Sequence, residues 1–267
     1  MSNKKKSALH LETLPPQTAS LFKTIESIGP DAIPHDLATR LFLAGGTALS
    51  LQIGHRMSND LDFACADDRL PTFAIEQFIE LLKKNHTVKL ITPTDQIAEH
   101  KIRTGLRLLD YVRDYSIDNA KVTFFLIGKT EAQKIFYQKA NKLNNHWTFP
   151  ILGIEGLKLA KTLVLAERQR SRDLIDVMYL MRDHSYTFSE CDQYVENFGT
   201  NNDFEFYKAV MNGEIPIDKD DEAYTLLNES VALEDIYLFF CKEIRDYEVE
   251  LARKLFNPTE QVTKATK

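Results

Sequence analysis

A chain of 267 residues that is 43% hydrophobic and 27% charged has the composition of an ordinary soluble globular protein. Its net charge of −6 argues against a surface made to coat duplex DNA, though not against a local basic groove. No apolar run approaches the length of a membrane-spanning helix, so no membrane partner is expected. Cys65, Cys191 and Cys241, with seven histidines, form no CxxC, HExxH or Cys/His cluster, which excludes a structural zinc site and points to reduced thiols.

Residues 1–16 read as a loose arm whose basic start, Lys4–Lys6, lacks the apolar stretch of a signal peptide, so a cytoplasmic location is expected. Residues 17–28 predict a helix with Leu21, Phe22, Ile25 and Ile28 on one face. Gly29-Pro30 stops it, and a connector or short helix leads to the stretch on which the chain depends, LFLAGGTALSLQIGHRMSNDLDFAC, residues 41–65. Leu41–Ala44 reads as a buried strand. Gly45-Gly46-Thr47 follows, then a short helix with Thr47 as its start signal and Gly54 as its stop. A polar turn, His55–Asn59, leads into a second strand at Asp60–Cys65. Alternate strand residues share a face, so Asp60 and Asp62 project together while Leu61 and Phe63 face the core. Two such carboxylates repel unless a cation lies between them, and Mg²⁺ binds one or two carboxylates together with substrate phosphates. Backbone N–H groups at a helix start suit an anion. A lone GG is usually a turn and a lone DxD usually a solvated strand edge; their combination in strand–turn–helix–turn–strand order carries the functional reading.

Further along, residues 72–86 predict an amphipathic helix with Phe73, Ile75, Phe78, Ile79 and Leu82 buried. Strands are expected at Thr87–Ile91, Arg103–Tyr111 and Ala120–Ile127, and a helix at Lys129–Leu143. The connector Asn144–Pro150, with the sole tryptophan, Trp147, plugging a seam, is the candidate boundary. Two parts follow: an α/β core with its N-terminal helix at 1–150 and a helical lobe at 151–267. From 151 onward no strand is expected. Helices are predicted at 154–169, 172–183, Ser189–Phe198, Asp203–Met211, Asp220–Leu227 and Ala232–Phe256. Helices and strands sharing one sheet make the class α+β or α/β.

The second half also holds a charge constellation. Lys161, Arg168 and Arg172 are spaced seven and four apart, and Asp173 and Asp176 three apart, so they can share one side of closely joined helices. A charged helix face with ordinary internal pairs accounts for this run equally well. A nucleotide reaction, by contrast, needs positive charge opposite a metal, and a lysine placed for it needs a carboxylate such as Asp176 to hold it.

Leu43–Leu49 and His55–Phe63 match, at every fixed position, a Leu-x-Gly-Gly-Thr-Ala-Leu and a His-Arg-x-Ser-x-Asp-Leu-Asp-Phe pattern. The chain thus resembles the nucleotidyltransferase AbiEii/AbiGii toxin family, within the DNA polymerase β-like nucleotidyltransferase superfamily. Its later motifs, a lysine, an arginine seven residues on, then Arg-Asp-x-x-Asp, resemble Lys161, Arg168 and Arg172–Asp176. The resemblance implies an α+β fold: a polymerase β-like core, a mixed sheet with flanking helices, followed by an all-helical C-terminal lobe that completes the active cleft. It implies a Mg²⁺-dependent nucleotidyltransferase that moves NMP from a nucleoside triphosphate to an acceptor, an RNA such as a tRNA end, as the toxin of a toxin–antitoxin or phage-defence pair, with a cognate antitoxin as partner. Asp60 and Asp62 are the metal ligands. Gly45, Gly46 and Thr47 hold phosphates, and Arg56, Arg168 and Arg172 contact substrate. Lys161 binds the nucleotide, with Lys158 as a neighbouring alternative. Asp176 orients Lys161 or assists the acceptor. The strand Lys121–Ile127 has Thr123 where many relatives carry a third carboxylate, and Asp118, which precedes that strand, is the candidate to substitute for it through a different geometry. Two other readings stay open: a catalytically weakened nucleotide- or partner-binding module, and a protein-modifying nucleotidyltransferase.

Overall fold

The computed structural model describes residues 9–143, 148–218 and 231–256; Trp147 and the helix expected at Asp220–Leu227 lie outside them. The chain divides into two compact units after Ala160.

The first unit is built on a seven-stranded mixed sheet, β1 (Leu41–Leu43), β2 (Leu61–Cys65), β3 (Val88–Leu90), β4 (Val112–Ile117), β5 (Ala120–Leu126), β6 (Lys142–Leu143) and β7 (Ile151–Leu152), in the order β3-β4-β5-β2-β1-β7-β6. Two pairings are parallel, β2 with β5 and β1 with β7; the rest are antiparallel. Side chains alternate across this sheet as the pleat requires. One face buries Leu61, Phe63, Val122, Phe124, Tyr115 and Ile117. Phe63 stacks on Phe124 with ring centroids 5.6 Å apart and meets Phe149 at 4.7 Å.

Helices α1 (Pro16–Ile28) and α4 (Thr72–Lys83) bring Leu21, Phe22 and Ile25, and Ala74, Ile75, Phe78, Ile79 and Leu82, into the core. Phe78 meets Phe149 edge-on at 5.6 Å. Phe73, expected in the α4 stripe, is 71% exposed, and Ala74 takes its place. Helix α2 (His35–Arg40) leads directly into β1, and α3 (Gly45–Ile53) lies between β1 and β2.

Three expectations fail in this unit. The strand expected at Arg103–Tyr111 is the end of a helix, α5 (Thr94–Thr104), followed by a single 3-10 turn at Leu108–Asp110; the strand is β4, further on. Helix α5 buries no residue, so it has no apolar stripe for a periodicity reading to find. In β4 the inward position between Val112 and Asp114 is Arg113, buried and ion-paired to Glu76 at 3.0 Å, which inverts the apparent polarity of the strand. The helix expected at Lys129–Leu143 is shorter, α6 (Glu131–Lys139), and its last residues form β6 instead. Finally, a strand does occur after residue 150: β7, two residues long, beside β1 and β6.

Helix α7 (Ile154–Glu167) contains the division between the units. The second unit continues with α8 (Ser171–Asp183), α9 (Phe188–Phe198), α10 (Phe204–Met211) and α11 (Leu233–Phe256). Thr187 and Glu190 close a reciprocal capping box on α9, and the Asp203 side chain caps α10. In α8 every residue from Asp173 to Leu180 is buried. The Phe188 ring meets Phe204, Phe240 and Tyr247, joining α9, α10 and α11. Among the described residues, no helix is long and apolar enough to cross a membrane.

Candidate active site

The β1–α3–β2 unit forms as the sequence implies, with β1 and β2 antiparallel and Leu43 opposite Phe63. Helix α3 begins three residues earlier than expected. Ala44 is its N-cap and makes no side-chain cap bond, so Thr47 is not the cap; Gly54 ends the helix in the left-handed region, as expected. Starting at Gly45 places the N–H groups of Gly45, Gly46 and Thr47 in the first turn, where they have no carbonyl partner within the helix.

The two glycines are dictated by what lies against them. Gly45 has φ +67, and a Cβ there would lie 2.5 Å from Asp62 Oδ2. A Cβ on Gly46 would lie 2.6 Å from Arg56 Nη2 and 3.2 Å from Ser58 Oγ. The Asp62 carboxylate therefore rests against the start of α3, where the helix dipole favours negative charge. The Arg56 guanidinium, only 3% exposed, rests beside it and donates to the Met57 carbonyl at 2.9 Å.

The approach to β2 is tied down from two directions. Thr47 is fully buried; its hydroxyl donates to the Asp60 carbonyl and shares a 2.8 Å hydrogen bond with the Ser58 hydroxyl. The Thr47 side chain thus fixes the position of Asp60, and only its backbone N–H is left for an anion. From the N-terminal side, the Ser58 N–H donates to the Thr13 carbonyl at 2.9 Å, and the Thr18 hydroxyl donates to the Asn59 carbonyl at 2.7 Å. Asp60 and Asp62 remain half-buried while Leu61 and Phe63 are buried.

This donor set fits a hard divalent cation. It offers two carboxylates at alternate positions and, among the described residues, no group of three or more His, Cys, Asp or Glu that could hold a metal, so waters and substrate phosphates would complete the coordination.

Thr123, the position where a third carboxylate was considered, is the register partner of Asp62 on the parallel strand β5. Asp118 does not stand in for one. It occupies the β4–β5 turn with φ +48, and its carboxylate is held by His86 Nδ1 at 2.6 Å and by the Thr87 N–H at 2.9 Å. The carboxylate level with Thr123 is Asp114 on β4.

In the second unit, Lys161 is 5% exposed. Its Nζ lies 2.6 Å from Asp176 Oδ2 and 3.2 Å from Asp173 Oδ1. Arg168 closes on the other side of Asp173, with Nε 3.0 Å from Oδ2. Both carboxylates are fully buried. Burial pushes the Asp173 carboxyl up, but the charges of Lys161 and Arg168 outweigh it and hold the group below the usual carboxylate range. Two cations and two anions make a neutral set. Lys158 is also buried, with Glu155 at 3.0 Å. Arg172, at the start of α8, is half-buried.

The sequence did not single out Ser58 or Asp114, and it placed Asp173 beside Asp176 without giving it a role. Ser58 sits inside the motif already quoted, where a hydroxyl beside Gly46 could have been suspected. Asp114 carries no local signal.

The family described as "Nucleotidyl transferase AbiEii toxin, Type IV TA system" matches residues 32–246. An uncharacterized protein of Aquifex aeolicus (strain VF5) is 26% identical over 211 residues, covering 77% of this chain and 87% of that protein. Among solved structures, a protein of H. pylori described as a nucleotidyltransferase aligns over 93% of this chain and 98% of its own at 19% identity, with a TM-score of 0.48. The nucleotidyltransferase toxin MenT4 of Mycobacterium tuberculosis H37Rv aligns over 78% of each chain at 15% identity, with a TM-score of 0.42.

Proposed function

The chain belongs to the nucleotidyl transferase AbiEii toxin family and is a nucleotidyltransferase, and from this premise we propose that it moves a nucleoside monophosphate from a nucleoside triphosphate to an RNA hydroxyl, as the toxin of a toxin–antitoxin or phage-defence pair with a cognate antitoxin. The observation that carries this reading is the contact of Gly45 with the Asp62 carboxylate. It sets a helix start able to receive phosphate directly against a carboxylate able to hold a cation.

In this reading Asp60 and Asp62 hold Mg²⁺, which when bound would offset charge on the triphosphate and favour departure of pyrophosphate. The first-turn N–H groups of α3, at Gly45, Gly46 and Thr47, bind phosphate oxygens. Arg56 adds positive charge beside Gly46. The Thr47 side chain keeps Asp60 in place from beneath. In the second unit, Lys161 is the nucleotide-binding lysine, held by Asp176 and Asp173. Arg168 and Arg172 supply further contacts to the substrate. The acceptor hydroxyl attacks the α-phosphorus in line, and positioning rather than covalent chemistry is what the protein contributes.

The test is transfer of label. Purified protein is incubated with each labelled nucleoside triphosphate, Mg²⁺ and total RNA; label should appear on RNA with the wild type and be lost with Asp62→Ala. Identical behaviour of the two proteins would end the enzymatic assignment of Asp62. Label on protein instead of RNA would shift the acceptor class. A second reading, nucleotide binding without turnover, is favoured by Thr123 standing level with Asp62 in place of a carboxylate. It would be recognised by nucleotide affinity in the absence of transfer.

A further inference from the structure

The sheet brings three polar side chains to one level on three neighbouring strands. Asp62 on β2 is paired in register with Thr123 on β5, and Thr123 with Asp114 on β4. Paired residues on adjacent strands point to the same face, about 4.8 Å apart. This is the face opposite Phe63, Phe124 and Tyr115; Asp62, Thr123 and Asp114 are half-buried on it, and Lys121 is exposed. The Thr123 hydroxyl donates to Asp114 Oδ1 at 2.8 Å. Asp114 is fixed in turn: its N–H donates to Thr92 Oγ1 at 2.8 Å, its carbonyl accepts from the Ile91 N–H at 2.8 Å, and Lys121 Nζ lies 3.7 Å from its carboxylate.

A hydroxyl has one proton to donate and two lone pairs. With its proton committed to Asp114, Thr123 presents its oxygen as an acceptor, one strand away from Asp62. We propose that Thr123, oriented by Asp114, receives the hydrogen bond of the acceptor's attacking hydroxyl and so sets its position next to the site of transfer. Thr123 touches the substrate; Asp114 is a positioning residue that acts through it. The inference rests on the nucleotidyl-transfer reading with RNA as acceptor. It gives the threonine at a place where a carboxylate was considered a task of its own.

The experiment separates the hydroxyl contact from turnover. Binding of a short fluorescent RNA ending in a 3′-hydroxyl is compared with binding of the same RNA ending in 3′-deoxyribose, in the presence of a non-hydrolysable nucleoside triphosphate. The wild type should prefer the hydroxyl end by on the order of tenfold, the value of one hydrogen bond. Thr123→Val, which keeps the shape, should bind both RNAs at the weaker level, with a melting temperature lowered by no more than a few degrees through the lost bond to Asp114. Thr123→Ser should keep the preference. Asp114→Asn should reduce it, because an amide can donate to the threonine oxygen and occupy the lone pairs the substrate needs. In the transfer assay Thr123→Val should lower kcat while leaving KM for the triphosphate unchanged. Equal binding of both RNAs by the wild type, or no binding of either, overturns the proposal. Failure of the nucleotidyl-transfer reading would be seen separately, as label transfer insensitive to Asp62→Ala.

Discussion

Gly45→Ala should separate stability from function at this site. The substitution carries two costs that can be estimated apart. Gly45 sits at φ +67, a left-handed conformation that costs an L-residue about 1–2 kcal/mol. The new Cβ would also lie 2.5 Å from Asp62 Oδ2 and 3.1 Å from Asp62 Cβ. Ordinary van der Waals contact needs roughly 3.5 Å, so the carboxylate oxygen must move by about 1 Å. That oxygen is at the end of a half-exposed side chain and can rotate away, so the movement adds little to the folding cost. The melting temperature should therefore fall by only about 2–8 °C, as about 1–2 kcal/mol implies for a chain of this size. Transfer activity should fall far more, because misplacing a reacting or coordinating group by about 1 Å costs on the order of 100-fold. Gly105→Ala is the matched control. Its φ is +72, in the left-handed region, and nothing lies within 4 Å of the added Cβ, so it carries the backbone strain without the contact. Melting curves and initial rates of label transfer would be measured for both variants. Similar losses of melting temperature with activity lost only in Gly45→Ala is the expected result. Equal activity in the two variants would refute the claim that the Gly45–Asp62 contact shapes the site.

Lys161→Met should destabilise the protein by about 3–5 kcal/mol, because it leaves Asp173 and Asp176 buried with one cation fewer. Adding Asp176→Asn should recover part of that loss in urea denaturation, and without such recovery the buried pair is not what Lys161 stabilises. Thr47→Val should lose both hydroxyl contacts, to Asp60 and Ser58, at about 1–3 kcal/mol together with reduced transfer, whereas Thr47→Ser should keep most of both. Glu26 gives a pH signature: burial raises its carboxyl to about 7, against the Thr148 N–H, which donates to it at 3.0 Å. A carboxyl raised in the folded state binds its proton more tightly there than in the unfolded chain, so its contribution is present at low pH and is lost as pH rises from about 4.5 through about 7. The rise is worth at most ~3 kcal/mol, and partial solvent exposure leaves about 1–2. Glu26→Gln should therefore raise the melting temperature at pH 8 (against wild type) and flatten its decline across this window, and an unchanged slope would show that Glu26 is not the group responsible.

Elements whose code lies in a short window were legible. Helices α1 and α11 follow their 3.6-residue apolar period, α7 and α8 are marked by near-continuous burial, and β5 follows its apolar run. The β1–α3–β2 unit was readable from Gly45-Gly46, Gly54 and the Asp-Leu-Asp alternation. Helix α5 escaped because no side chain of it is buried, so nothing marked its period. Strand β4 was displaced because an arginine, Arg113, points into the core with Glu76 to satisfy it. Strand β7, only two residues long, has no pattern of its own and exists because β1 and β6 flank it.

By itself, then, the sequence determined the Gly-Gly turn, the alternating Asp60 and Asp62, the spacing of Lys161, Arg168 and Asp176, and the family these imply. The tertiary structure alone decided that Thr47 is a buried support for Asp60, that Lys161 is enclosed by two carboxylates, and that Asp114 stands level with Thr123 and Asp62. The reason is physical. Periodicity and capping act within a few residues, whereas strand register and burial are set by partners dozens of residues away, and neither leaves a mark in the local sequence until the chain has folded.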